Sequence, residues 1–265
     1  MKQRRRQSFF FHVIQTFFIT AIFTIIPLLS ALADTPPVVN IPGINKNFCV
    51  TDCSANTVVA DESRVYLGGN FTLVGQPTGA GVPVATETGL AFDEYPAIDT
   101  QVNACVADRE GGWYVVGDVL EIGKGHLSTI WRISGEGSVT DWSAEVDGIV
   151  LAMTLSSDGK TLYVATVFYI TTFDRICPVY AIDTETGTVT DLELELEDRV
   201  HSMAISPDGK TLYIGGSFTS IGGQNRQYIV AFDTEAGEIT AWNPNPNGWV
   251  EALTLSSDGS TLYVG

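Results

Sequence analysis

A chain of 265 residues with 31 acidic and 14 basic side chains, net charge −17, is too acidic to favour nucleic acid or an anionic membrane surface as a partner. Its acids show no D-x-[DN]-x-[DN]-G spacing, which excludes an EF-hand. No Ser-His-Asp order, G-x-S-x-G elbow, H-E-x-x-H pair or phosphate loop is visible either.

Residues 1–33 read as a targeting segment. Lys2, Arg4, Arg5 and Arg6 form a cationic start, residues 9–32 are strongly apolar, and Ala31-Leu32-Ala33 matches an A-x-A cleavage site. The apolar run is also long enough to span a bilayer, so an uncleaved anchor is the rival reading. Cleavage would remove four positive charges and take the net charge from −17 to −21. The expectation is export by the general secretory route to the periplasm, the cell surface or the medium, with no membrane association after cleavage. Residues 34–55 form an extended leader, in which Cys49 and Cys53 are the candidate disulfide of an exported chain.

The rest divides into units at 56–98, 99–148, 149–198 and 199–248, with a partial fifth at 249–265. In the first unit the spacing predicts a fourth strand that is shortened or missing, and residues 76–89 read as a long loop between the second and third strands. Cys105 aligns with Met153, Met203 and Leu253 and reads as a core thiol. Cys177 aligns with Gln227 where a third strand begins and is expected to be more accessible. Residues 193–198, E-L-E-L-E-D, read as the solvated end of a strand.

The units repeat one another. Residues 206–213 read S-P-D-G-K-T-L-Y, residues 156–163 read S-S-D-G-K-T-L-Y, and residues 256–263 read S-S-D-G-S-T-L-Y. Upstream, Tyr66, Tyr114 and Tyr163 follow at intervals of 48 and 49. In the unit beginning at Arg199, four strands are predicted over 200–206, 211–219, 228–233 and 238–242. Asp-Gly marks the first hairpin, the S-I-G-G-Q-N-R loop lies between the second and third strands, and the Pro/Asn-rich 243–248 leads to the next unit. Four antiparallel strands per repeat of about 40–50 residues describe an all-β fold, a β-propeller of four-stranded blades. The recurring Trp142, Leu192 and Trp242 are expected to fill the gaps between blades, with Trp242→Ala costing about 3–5 kcal/mol. Because the final residues fall inside the second strand of the fifth unit, the expectation is an open arc of four blades plus one hairpin, an amino-terminal fragment lacking carboxyl-terminal blades.

The run Y-I-G-G-S-F-T-S-I-G-G-Q-N-R at 213–226, followed by A-F-D-T-E-A-G-E-I-T-A-W-N-P at 231–244, resembles the delta-60 type of β-propeller repeat. Y-L-G-G-N-F-T at 66–72 and G-G-W-Y-V-V-G-D at 111–118 are further copies. Val164-Ala165-Thr166 departs from the Gly-Gly motif in the third unit, and Val116-Gly117-Asp118 departs from it in the second. The resemblance implies the fold and an exported setting, and carries no catalytic residues.

Both tight hairpins of a blade lie at one end, so the second-to-third and inter-blade loops share the other. A ligand site is expected on that loop face, and His126, Gln224, Arg226, Asn243 and Asn245 are its candidate residues. His201 occupies the slot held elsewhere by Asn103, Leu151 and Glu251, and reads as structural. No catalytic residue, resident metal or cofactor is expected; Ca²⁺ is the single candidate ion. The favoured function is a non-enzymatic binding or surface scaffold for a protein or carbohydrate ligand. The alternatives are a lactonase- or quinoprotein-like propeller enzyme, which needs convergent Asp, Glu, Asn and His at the central channel, and a degenerate fragment.

Overall fold

The computed structural model describes residues 54–265 except 61–63, 75, 78–79, 93–94, 97, 99, 118–126 and 170–174. The targeting segment, the leader with Cys49 and Cys53, and His126 therefore lie outside the described residues. What is described is built from strands. The first blade holds β1 (Ala55–Ala60), β2 (Arg64–Gly69), a small hairpin of β3 (Leu73–Val74) and β4 (Gln76–Pro77), and β5 (Gly81–Ala85). The second is β6 (Val102–Ala107), β7 (Trp113–Gly117), β8 (Leu127–Ile133) and β9 (Val139–Asp147). The third is β10 (Ile149–Leu155), β11 (Thr161–Tyr169), β12 (Arg175–Asp183) and β13 (Val189–Leu196). The fourth contains β14 (Val200–Ile205), β15 (Thr211–Gly216), a hairpin of β16 (Ser220–Ile221) and β17 (Gln224–Asn225), β18 (Ile229–Asp233) and β19 (Glu238–Ile239). β20 (Leu253–Leu255) and β21 (Leu262–Val264) form the hairpin of a fifth. Every pairing is antiparallel, and the sheet order within blades two, three and four follows the chain.

The first blade pairs β1, β2 and β5, with no fourth strand among the described residues. Its third strand lies inside the stretch read as a loop: residues 81–85 pair with β2, Pro83 opposite Tyr66. Beyond it, among the described residues, only one bridge forms, Val84 with Ala91, where Phe92 N donates to Pro83 O at 3.2 Å. Proline is tolerated on this short outer edge because the pairing there uses its carbonyl as an acceptor. Val82 and Val84 of this strand pack with Phe71 and Val74 in a small apolar cluster. The glycines, prolines and threonines around it had hidden the short β run.

Apart from that cluster within the first blade, the cores lie between blades. One cluster joins Tyr66 of the first blade to Val102, Trp113 and Val115 of the second. Another joins Tyr114, Val116 and Ile130 of the second to Val150, Leu162 and Val164 of the third. A third unites Val179 and Leu196 of the third with Leu212, Phe218 and Phe232 of the fourth. Ile229 of the fourth blade meets Val250 and Leu253 of the fifth unit. Lying between neighbours, the first strands of the second, third and fourth blades read as near-continuous apolar runs instead of alternating, whereas β1 of the first blade is largely exposed. The Gly-Gly motif follows from this closeness. A Cβ on Gly68 would stand 2.4 Å from Val102 Cγ1, and one on Gly215 would stand 2.5 Å from Val250 Cγ1.

Two side-chain expectations change. Trp142 is half-buried against Tyr114, ring centroids 4.9 Å apart, at the boundary with the third blade. Trp242 makes the matching contact with Tyr213 at 5.4 Å but stays 39% exposed, so Trp242→Ala falls short of the 3–5 kcal/mol of a core aromatic. Cys177 is fully buried rather than accessible. β12 starts before it at Arg175, Cys177 pairs with Leu196 on β13, and both belong to the core shared by the third and fourth blades. Leu196 is likewise buried while Glu195 and Glu197 beside it are exposed, so the E-L-E-L-E-D stretch alternates a core side with a solvated one at the end of β13. Cys105 is buried as expected.

Candidate functional site

The starts of the first strands share one irregularity. The β1–β2 register shifts between Ala55 and Thr57, β6–β7 between Val102 and Ala104, β10–β11 between Val150 and Ala152, and β14–β15 between Val200 and Ser202. In the fifth unit the amides of Glu251 and Ala252 both donate to Gly265 O, at 2.8 and 3.1 Å. Each is a β-bulge with one extra residue, a device that re-aims a side chain. The extra residues are Asn56, Asn103, Leu151, His201 and Glu251.

The bulges gather these side chains at one mouth of a channel. A cavity of about 240 Å³ is lined by Asn56, Asn103, Leu151 and His201, together with Cys105 and Met203. His201 Nδ1 stands 3.8 Å from Glu251 Oε2, which closes the series on the fifth unit. Asn56 Nδ2 donates to Val102 O at 3.0 Å across the blade boundary, and Gln101 Nε2 donates to Asn103 Oδ1 at 3.1 Å. The mouth thus offers two amides, an imidazole and an exposed carboxylate, and no Lys or Arg is among its described lining residues. Such a set hydrogen-bonds a neutral or cationic ligand and disfavours an anion. Burial pushes the Cys105 thiol up to about 12, outweighing the 3.6 Å contact with Thr57 Oγ1. That sulfur is a wall of the site rather than a nucleophile.

Bulges at the beginnings of first strands lie at the loop end of the blades, the end on which a site was expected. The residues named for it stand further out. Gln224 is exposed on β17, while Arg226 donates from Nη1 to Asn225 O at 3.0 Å and from Nη2 to Thr240 O at 3.4 Å. Asn243 and Asn245 are exposed on the following segment, Asn245 with φ +50°. None of the four lines the channel mouth. The channel residues carried a signal in the sequence. Val102, Val150, Val200 and Val250 hold one column of the repeat, and the next column varies through Asn103, Leu151, His201 and Glu251. A variable column beside a constant one marks a position free of the packing constraint. Among the described residues, no three His, Cys, Asp or Glu side chains stand close enough together to hold a metal ion.

Antiparallel blades set around a channel by their first strands define a β-propeller, here with four blades and the first hairpin of a fifth. Solved structures agree. The β-propeller domain of Myceliophteria thermophila Cps50 (Swd1) superposes with a TM-score of 0.52 at 12% identity, over 83% of this chain and 64% of that one. The Dos1 propeller gives a TM-score of 0.52 at 13% identity, over 76% of this chain and 48% of that one. The chain therefore spans less than two thirds of either propeller. No protein-family model and no curated protein matches the sequence.

Proposed function

We propose that this chain is an exported propeller, built from delta-60-like repeats, that acts as a non-enzymatic binding module. Its site is the loop-end mouth of the channel. The observation that carries the reading is the repeated bulge, which turns the one variable column of the repeat toward a shared cavity. The targeting segment supports export. The polar mouth without a cation fits a neutral carbohydrate or an uncharged or basic peptide group better than an anion. Gln224, Arg226, Asn243 and Asn245, on the same end, would extend contact with a larger ligand.

The test is a thermal-shift screen of neutral oligosaccharides, basic peptides and Ca²⁺ on the full-length chain, repeated on an Asn103→Ala/Glu251→Ala variant. A shift of the wild type that disappears in the variant supports the site, and one of equal size in both overturns it. One observation favours an enzyme as second reading: Asn56, Asn103, His201 and Glu251 are the residue types a propeller hydrolase would converge. Turnover of a lactone panel, abolished by His201→Ala, would replace the binding module with that enzyme.

A further inference from the structure

The channel has a second chamber at the opposite end, under the tight hairpins, with a different chemistry. It encloses about 770 Å³ and is lined by the closing residues of all five first strands, among them Val59, Val106, Leu155, Ile205 and Leu255. Arg109 is the one charged side chain among its described lining residues. Apolar side chains share its wall with Thr154, Thr254 and backbone polar groups, so about half of the wall is polar and the chamber opens to solvent, a mixed surface suited to a ligand with both an apolar and a polar part.

The fold directs Arg109 there. The first hairpin of the second blade runs from Ala107 to Trp113, one residue shorter than the turn from Leu155 to Leu162 in the third. The shorter turn places Arg109 at φ +67°, a left-handed conformation that a non-glycine residue adopts at a cost. The hairpin is held there by its neighbours. Asp108 Oδ1 accepts the amides of Glu110 at 2.8 Å and Gly112 at 2.7 Å, and Arg132 Nε donates to Asp108 Oδ2 at 2.8 Å. Arg132 also pairs with Glu110.

The carboxylates closest in sequence are thus engaged with Arg132, and Asp158 on the adjoining hairpin accepts from Ser156 Oγ and the Lys160 amide. Arg109 itself makes no hydrogen bond or ion pair among the described residues. Its Cδ lies 3.9 Å from where a Cβ on Gly159 would sit, so the stem crosses from the second blade toward the third at the chamber's rim.

We propose that this chamber binds an amphipathic monoanion, a carboxylate with an aliphatic body: the chain lies along the apolar strand ends and the carboxylate pairs with the Arg109 guanidinium. Guanidinium and carboxylate match in geometry and charge, and the Val, Ala, Ile and Leu side chains of the wall cover part of the aliphatic body. The chamber adjoins the loop-end mouth through Val59, Met203 and Leu253, but Arg109 lines the chamber and not the mouth, and the residues of the mouth disfavour an anion.

The probe is octanoate, with 1-octanol as its uncharged counterpart, titrated into the full-length chain by calorimetry. Saturable binding of octanoate is expected, weaker for 1-octanol by about tenfold or more, as loss of a charge-assisted contact requires. Arg109→Gly removes the guanidinium while suiting the left-handed backbone, so the variant should melt no lower than wild type and bind octanoate about tenfold less tightly. Arg109→Lys should retain most of the affinity. Lys210→Gln removes the same unit of charge from an exposed neighbouring hairpin and should leave binding unchanged. Equal octanoate affinity in Arg109→Gly and wild type, equal affinity for octanoate and 1-octanol, or no saturable binding of octanoate would overturn the proposal.

Discussion

Ser156, Asp158 and Thr161 close a small circuit that explains why S-x-D-G-x-T recurs. Ser156 Oγ donates to Asp158 Oδ1 at 2.6 Å and accepts the Thr161 amide at 2.9 Å, while the same Asp158 oxygen takes the Lys160 amide at 3.1 Å. The circuit is rebuilt at Ser206-Asp208 and at Ser256-Asp258. The glycine that follows each Asp takes the positive φ the turn needs, +74° at Gly159 and +76° at Gly209. The donors hold all three carboxyls below the usual carboxylate range, Asp258 down to about 2, with the Ser hydroxyl the leading cause in each. A carboxyl depressed by folding stabilises the native state above its unfolded pKa of about 3.9 and loses that contribution as pH falls through its folded value. The melting temperature should therefore drop on acidification from about pH 4 toward pH 2. In an Asp158→Asn/Asp208→Asn/Asp258→Asn variant that segment of the profile should be shallower, as read by circular dichroism melts across the pH series.

At the scale of elements, the second-to-third connection of the fourth blade is more than a loop. Residues 220–225 form a hairpin whose Ile221 pairs with Leu196 of β13, so it extends the sheet of the preceding blade. Gly222 and Gly223 make the turn with φ +53° and +75°. Ile221 is 1% exposed in the core shared by the two blades, whereas Gln224 on the same hairpin is exposed. Ile221→Ala should cost about 2–5 kcal/mol in chemical denaturation, and Gln224→Ala should stay within about 0.5 kcal/mol. An equal, small effect of both would mean that the hairpin does not join the blades.

For the molecule as a whole, adhesion between blades is apolar and charge works against it. The four inter-blade clusters are built almost wholly from Val, Ile, Leu, Ala and aromatic side chains. Tyrosines cross the same boundaries: Tyr66 Oη donates to Gly111 O at 2.9 Å, Tyr114 reaches Thr184 and Tyr163 reaches Thr234. Burial raises the pKa of both Tyr114 and Tyr163, which keeps these phenols protonated as donors. Net charge of −17 adds self-repulsion that salt screens over a Debye length of about 10 Å at 0.1 M. The melting temperature should rise between low and moderate NaCl, since few cations are present whose ion pairs salt could weaken. A falling melting temperature over that range would show that local pairs such as Arg132 with Asp108 outweigh the repulsion.

The sequence by itself determined the repeat and the strand order of the second, third and fourth blades with their tight hairpins, because period, Asp-Gly turns and apolar first strands are local properties of the chain; the third strand of the first blade escaped it. It also determined that Cys105 is a core thiol, through the column it shares with Met153 and Met203. Tertiary structure decided the rest. Cys177 and Leu196 are buried because the fourth blade packs against them in a shared core, a contact no window around either residue contains. The bulges that turn Asn103 and His201 toward the channel depend on strand pairing, so the variable column was legible as letters but not as a site. Arg109 became a candidate because a turn one residue shorter left it at positive φ beside a chamber, and a chamber made by five separate strands exists only once they are assembled.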